Sequence, residues 1–352
     1  MKKVLSSILI ASVMLSVVGL FSACQKNKQK FTNYYFDYFD TSSTIIGYEE
    51  TKEDFSKVCK EIEAQLKEYH QLFDIYKKYD NINNLCVVNE QENGKHKEVK
   101  VDKKIIDLLV FSKEMYNLTE GKTNIAMGSV LSLWHDSRTY GLDHPENAKL
   151  PDEKLLKEAS KHIDIDDVII NEVSSTVYLK DPKLTLDVGA IAKGYAVEKI
   201  AKWLENEGVS GYVLNVGGNV RAVGKQYGGT PWKTGIENPD NNNEKEPYIA
   251  YLNIENEAVV TSGSYQRFYE VNGKKFHHII DSETLYPASK FAAVSVVCKD
   301  SGKADALSTA LFLMDLEDGK KLTESLKDTE AIWTLNTGEI YKSSGFKNFE
   351  TK

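Results

Sequence analysis

Asp305 and Thr309 stand four residues apart, a spacing that puts a carboxylate and a hydroxyl on one face of a helix. Two oxygen donors so placed suit a hard cation such as Mg²⁺, which also takes substrate phosphate and water. The pair fits an ordinary helix start equally well, with the acid favouring the dipole and the threonine bonding back to the backbone. In Asp187-Val-Gly-Ala-Ile-Ala-Lys193-Gly-Tyr195 an acid closes a strand and a glycine permits close backbone approach. A helix then begins where a phosphate can meet free N–H groups. Lys193 falls in its first turn, where a cation opposes the dipole unless an anion is near. Capping by Asp187 and a turn at Gly189 is the plainer reading. Asn215-Val-Gly-Gly-Asn219 reads as a turn or bulge. Ser262-Gly-Ser-Tyr-Gln-Arg267 leads through a hairpin to His277-His278-Ile-Ile-Asp281. Adjacent histidines in a strand point to opposite faces, so at most one serves a given site. No third His or Cys lies at ligand spacing, which argues against zinc. His278 and Asp281 are then either a base with its orienting carboxylate or polar residues at a strand end.

The elements that must hold these residues are legible in outline. Phe55, Val58, Cys59, Ile62, Leu66, Tyr69 and Phe73 recur at three- and four-residue steps and predict a long helix. The Asp/Asn-dense run from Tyr76 through Tyr79 to Asn84 predicts a turn-rich loop. Further helices are predicted near 103–117, 152–161, 190–207 and 302–314. The aromatic-rich stretch 31–48 is β-like, and strands are predicted at 168–170, 176–179, 184–188, 212–216, 232–236, 249–254, 259–262 and 293–298. Hairpins are predicted across Asn272-Gly273, with strands at 265–270 and 275–280, and across Asn336-Thr-Gly338. Such runs of hairpins with interspersed helices predict an α+β fold, a largely antiparallel sheet with flanking helices.

The N-terminus has a different character. Lys2 and Lys3 precede the uncharged residues 4–21, and Ser22-Ala23-Cys24 places small residues before a cysteine. This is the layout of a secretory signal. It resembles a bacterial lipoprotein signal, although Phe21 stands where leucine is usual. That resemblance implies removal of residues 1–23, lipidation of Cys24, a polar tether over 24–33 and a domain over 34–352. The protein is then expected on the extracytoplasmic side of the cell membrane, held by its lipid. An uncleaved transmembrane helix is the alternative, and it would leave the domain on the same side. A formal net charge of −8 without a basic run argues against nucleic acid as a partner. Cys59, Cys86 and Cys298 show no CxxC spacing and read as buried free thiols.

Taken together and in order, the polar clusters resemble the ApbE family of FAD:protein FMN transferases. The matching runs are Asp187-Val-Gly-Ala-Ile-Ala-Lys-Gly-Tyr-Ala, Gly-Gly-Asn219, Gly-Ser-Tyr-Gln-Arg-Phe268, His-His-Ile-Ile-Asp281 and Ala-Asp-Ala-Leu-Ser-Thr309. The likeness extends to Phe39-Asp-Thr41, Leu72-Phe-Asp-Ile-Tyr-Lys-Lys-Tyr79, Asn84 with Asn89, and 121–129 before Trp134. It implies cleavage of the FAD pyrophosphate, attachment of FMN through a phosphoester to a Thr or Ser of a target flavoprotein, and release of AMP.

By the same resemblance, Mg²⁺ is held by Asp305, Thr309 and the carbonyl of Ala190, with Ser308 adjacent. Flavin or adenine contacts fall at Phe39, Tyr79, Lys122, Thr123, Asn124, Asp187, Lys193 and Ile279. His278 is the candidate for deprotonating the acceptor hydroxyl, with Asp281 and Lys193 beside it in the catalytic set. Four positions depart from the family pattern. The family's His-Ile-Ile-Asp-Pro-x-Thr-Gly-x-Pro becomes His278-Ile-Ile-Asp281-Ser282-Glu-Thr284-Leu285-Tyr-Pro287, for which another turn geometry is expected. Asn124 and Glu198 each replace an aspartate common in relatives. The same residues would serve an Mg²⁺-dependent FAD pyrophosphatase giving FMN and AMP, or a flavin-binding lipoprotein without turnover.

Overall fold

The structure is a computed structural model that describes residues 27–240 and 245–351. The expected signal segment and Cys24 lie outside the described residues. Eight strands form the central sheet: β1 (Gln29–Tyr38), β2 (Thr41–Glu49), β3 (Tyr212–Val216), β4 (Asn219–Val223), β5 (Ala258–Gly263), β6 (Phe291–Cys298), β7 (Thr329–Leu335) and β8 (Ile340–Lys342). They lie side by side in chain order, and each neighbouring pair is antiparallel. The fold is therefore α+β with a largely antiparallel sheet. The other helices and strands are inserted between successive strands, and a 3₁₀ turn at Phe346–Asn348 follows β8.

One sheet face carries helices. α1 (Lys52–Phe73) starts at Thr51, whose hydroxyl accepts from the Asp54 N–H, and buries Phe55, Cys59, Ile62, Leu66, Tyr69, Leu72 and Phe73. This stripe packs with Ile45 and Tyr212 of the sheet. α2 (Lys103–Leu118) and α3 (Gly128–Asp143) follow, then α4 (Ala192–Asn206), α5 (Ser301–Leu313) and α6 (Leu316–Ser325). α5 is buried almost all round, because it lies between α4 and the strands β5 and β6. The hairpin of Trp232–Glu237 with Tyr248–Ile254 covers the opposite face, where Trp232 and Leu252 meet Val259 and Val297. Val260 and Val296, one residue along, face the helices instead. Burial on both faces explains the unbroken apolar runs of β5 and β6.

A buried ion-pair network ties α4 to the sheet. Arg221 of β4 is 1% exposed, and its Nε donates to Glu198 at 2.9 Å while Nη2 donates to Glu205 at 2.8 Å. Glu198 also accepts from the Ser301 N–H at 2.8 Å, so it caps the start of α5. The glutamate at this position thus serves two elements at once.

Several sequence expectations need correction. β1 begins at Gln29, so the last five residues of the segment expected as a tether are paired with β2. The stretch 184–188 is not a strand: only Thr185 forms a bridge, to Met127, and the Asn89 side chain takes up the N–H and carbonyl of Leu186 at 2.7 and 2.9 Å. The expected strand 275–280 stops at His277, which leaves His278 beyond the ladder. α3, α6 and strand β4 had no sequence counterpart. Cys59 and Cys298 are buried free thiols, whereas Cys86 is only half-buried. Among the described residues no helix is long and apolar enough to cross a membrane.

Candidate active site

A cleft of about 690 Å³ opens between the α4–α5 pair, the β1–β2 turn, α3 and the two hairpins inserted around β5. That volume falls in the range of small-molecule and cofactor pockets. Lys122, Thr123, Asn124, Asp187, Ala190, Lys193, His278, Ile279, Asp305 and Thr309 all line it. Residues nearly two hundred positions apart thus meet in one place.

Asp305 is 4% exposed, and its Oδ2 accepts from the Gly194 N–H at 2.8 Å and from Asn219 Nδ2 at 2.9 Å. Lys193 Nζ is 3.8 Å from the same oxygen. Oδ1 is left without a protein donor among the described residues. The close helix crossing depends on glycine: a Cβ at Gly194 would lie 2.3 Å from the Ser301 carbonyl and 2.4 Å from Asp305 Cβ. Because Gly194 donates to Asp305, no backbone N–H among the described residues reaches the carbonyl of Ala190. Thr309 Oγ1 is 3.3 Å from Ser262 Oγ. Ser308 is fully buried and turns away from the cleft, donating to the Asp305 carbonyl at 3.0 Å and meeting Ser262 at 2.8 Å. Asp305, Thr309 and Ala190 therefore present a carboxylate, a hydroxyl and a carbonyl to one space. This all-oxygen donor set fits a hard cation that keeps water or phosphate in its remaining positions.

The neighbouring loop is locked from behind. Thr123 Oγ1 donates to the Ala306 carbonyl of α5 at 2.7 Å, and Asn124 bridges the Ile163 carbonyl and the Ala126 N–H at 2.9 Å each. Lys122 pairs with Glu283 at 2.5 Å. Asp187 accepts from the Gly189 N–H at 2.8 Å, the turn that its sequence suggests. Burial raises its carboxyl above the usual range, while His135 and Arg138 pull the other way.

The His278 Nδ1 lies 3.2 Å from the carbonyl of Arg267, so Nδ1 carries the hydrogen and Nε2 is left as an acceptor. The surrounding protein, and then the charge of Arg267, depress its pKa to about 3. Asp281 does not orient this ring. Its Oδ1 instead accepts from the N–H groups of Glu283 and Thr284 at 2.7 and 3.1 Å, which organises the turn that follows. Leu285, where the family pattern has glycine, holds a left-handed φ of 62°. Its strain is offset by a buried side chain beside Trp134, whose Nε1 donates to the Leu285 carbonyl at 2.9 Å.

Phe39 and Tyr79 stand outside the lining and pack on His70 instead. The Phe39 N–H donates to His70 Nδ1 at 3.2 Å, and the Tyr79 hydroxyl meets Nε2 at 3.2 Å and donates to Asp74 at 2.8 Å. The aromatic residues lining the cleft are Tyr76, stacked on His135 at 4.9 Å between centroids, with Trp134, Tyr248, Tyr265, Tyr269 and Phe276. Tyr76, His135, Arg138, Ser262 and Asn219 are site residues that no sequence-derived assignment included. Ser262 and Asn219 lay within noted clusters, whereas Arg138 carried no signal.

The ApbE family model matches residues 39–333. The chain belongs to the ApbE family. It is 30% identical over 367 residues to the FAD:protein FMN transferase of Haemophilus influenzae, with both chains covered in full. Against the protein of that name from Treponema pallidum it is 31% identical over 261 residues, covering 70% of each. The crystal structure of the ApbE protein of Thermotoga maritima superposes with a TM-score of 0.79 at 28% identity, covering 92% of this chain and 100% of that one. The flavin transferase ApbE of Vibrio cholerae gives 0.74 at 23% identity, covering 92% and 99%, a likeness of fold. Membership in the ApbE family thus embraces nearly all of the described residues, the cleft included.

Proposed function

We propose that this protein transfers FMN from FAD to a Thr or Ser hydroxyl of a target flavoprotein, forming a phosphoester and releasing AMP, with Mg²⁺ bound by Asp305, Thr309 and the Ala190 carbonyl. The observation that carries the reading is the Gly194–Asp305 hydrogen bond, which both fixes the carboxylate and frees that carbonyl. The Haemophilus influenzae relative named FAD:protein FMN transferase matches the chain from end to end.

The chemistry needs charge neutralisation and in-line positioning more than covalent help from the protein. Bound Mg²⁺ would polarise phosphoryl oxygens and stabilise the departing phosphate. Lys193 adds a fixed positive charge at the same end of the cleft. Nε2 of His278 is an unprotonated acceptor at neutral pH and takes the proton of the attacking hydroxyl. Its pKa is low first because the surrounding protein desolvates the ring and then because Arg267 is near; an anion beside Arg267 offsets the second effect. Transfer rather than hydrolysis requires that a bound acceptor keep water from the open cleft.

The test is incubation with FAD and Mg²⁺, with and without an exported flavoprotein acceptor. Flavin fluorescence retained on the denatured acceptor, together with AMP, supports transfer. FMN and AMP released with no covalent flavin would replace the transferase by a pyrophosphatase. FAD bound without any metal-dependent cleavage would leave only a flavin-binding protein.

We also propose that Cys24 is lipidated and holds the protein to the extracytoplasmic side of the cell membrane. The support is the basic start, the uncharged stretch 4–21 and Ser22-Ala23-Cys24. Incorporation of labelled palmitate that is lost in Cys24→Ser tests it.

A further inference from the structure

β1 forms one edge of the central sheet and is the longest of its eight strands. A long uncovered edge invites pairing with other chains unless something masks it. Its side chains alternate between the two faces. Phe31 and Tyr35 turn to the helices: Phe31 stacks on Phe55 of α1 at 5.5 Å between centroids, and the Tyr35 hydroxyl donates to the Cys59 carbonyl at 2.7 Å. Lys30, Thr32, Tyr34 and Phe36 turn the other way and are exposed, Tyr34 by 59% and Phe36 by 71%. The Trp232–Glu237 hairpin covers this face as far as Ile46 and Tyr48 of β2 and stops short of β1. Charge follows the same strand. From 25 to 36 the chain holds Lys26, Lys28 and Lys30 and no acid, although its net charge is −8. Lys28 leans on Glu49 at 3.5 Å, while Lys30 is exposed.

We propose that the outward face of β1 rests on the membrane, with Tyr34 and Phe36 in the interfacial layer and Lys30 among anionic headgroups. This rests on the reading of the N-terminus as a membrane anchor. Gln29 stands five residues beyond Cys24, a reach of at most ~18 Å. A lipid on Cys24 and an uncleaved helix would both hold the start of β1 that close to the bilayer. An edge so tethered meets the bilayer at an effective concentration that no dissolved partner matches. Aromatic rings suit the headgroup boundary, and lysines beside them add attraction to anionic lipid. A bilayer also offers no strand, so it hides the edge without extending the sheet. Docking by this face fixes how the cleft is presented. Tyr34 pairs across the ladder with Thr44, which lines the cleft. The rim is thus one strand spacing, ~5 Å, from the docked edge. The cleft is thereby offered to acceptors held at the same surface.

The experiment uses the full protein, purified from membranes and reconstituted in vesicles of phosphatidylcholine and phosphatidylglycerol. Tyr34→Trp, Phe36→Trp and Val173→Trp each add one reporter to the four native tryptophans, whose signal wild type supplies. Val173 is 99% exposed, at the turn of a small sheet whose Val168 and Val177 pack on the helix side, so it is the control. When acyl-brominated phosphatidylcholine replaces the plain lipid, the added fluorescence at 34 and 36 should fall about two-fold or more. That at 173 should not change. An unchanged urea midpoint shows that each variant is folded. Protein that stays on the vesicles with neither edge reporter quenched overturns the docking and leaves the anchor standing. Quenching at 173 equal to that at 36 overturns the assigned face. Quenching at 34 and 36 with no palmitate on Cys24 refutes lipidation and leaves the docking. Protein that washes off the vesicles refutes both. A soluble dimer, or transfer to a dissolved acceptor without vesicles, that Phe36→Ser abolishes would assign the face to that partner and overturn the docking.

Discussion

The main-chain N–H of Gly194 donates to Asp305 Oδ2 at 2.8 Å, where a continuing helix would send it to the carbonyl of Ala190. The first turn of α4 is thus opened by a side chain from α5, and the two helices share the site between them. Only glycine allows it. In Gly194→Ala the new Cβ meets the Ser301 carbonyl and Asp305 Cβ well inside contact distance, and neither belongs to a flexible side-chain tip. Helix separation should cost about 1–3 kcal/mol in urea unfolding and should sharply reduce Mg²⁺-dependent AMP release. Wild-type stability together with wild-type turnover would show that the crossing is looser than described.

Asp305→Asn probes the carboxylate without changing its shape. An amide oxygen can still accept from Gly194 and Asn219, so the fold should persist. The charge that attracts a cation is lost, while Lys193 remains 3.8 Å from where that charge stood. Turnover should fall on the order of 10²-fold or more, with FAD affinity in EDTA unchanged. Full activity at saturating Mg²⁺ would remove Asp305 from the metal site.

What was legible in the sequence was whatever repeats at a short, regular spacing. The α1 stripe from Phe55 to Phe73 and the Asp305–Thr309 pair are such patterns, and the structure places both on the expected helix faces. α3 was not legible because its buried residues are only Gly128, Val130, Trp134 and Gly141, too few for a helical period. Arg138 was hidden with it. The stretch 184–188 looked like a strand because its apolar alternation is real, but it meets the side chain of Asn89 on one side and only a single bridge, to Met127, on the other. Phe39 and Tyr79 were carried by family likeness alone. Their orientation is decided by His70, which no local pattern links to either ring.

His277 gives a pH dependence of known sign. It is 8% exposed; its Nε2 donates to the Ala288 carbonyl at 2.6 Å, and its Nδ1 accepts from the Ile279 N–H at 3.2 Å. Burial holds its folded pKa below the unfolded value of about 6.5. The unfolded chain therefore binds the extra proton first. The contribution of His277 is complete above about pH 6.5 and is lost as pH falls from there toward the folded pKa. His278 acts with the same sign, so the comparison needed is between wild type and His277→Gln. Unfolding free energy should fall more steeply on acidification below pH ~6.5 in wild type, by up to about 1.4 kcal/mol per pH unit. Parallel curves would mean that His277 is already charged in the folded protein.

Leu285 separates backbone strain from side-chain burial in the turn after His278. It sits at φ 62°, costly for a residue with a Cβ, yet its side chain is 9% exposed and packs in the cluster around Trp134. Leu285→Ala deletes the packing and keeps the strain, whereas Leu285→Gly deletes the packing and relieves it. Both variants should be destabilised in urea unfolding. The glycine variant should nevertheless be the more stable by about 1 kcal/mol, which inverts the order usual for these residues in helices and strands. If alanine proves more stable than glycine, residue 285 does not hold the left-handed conformation.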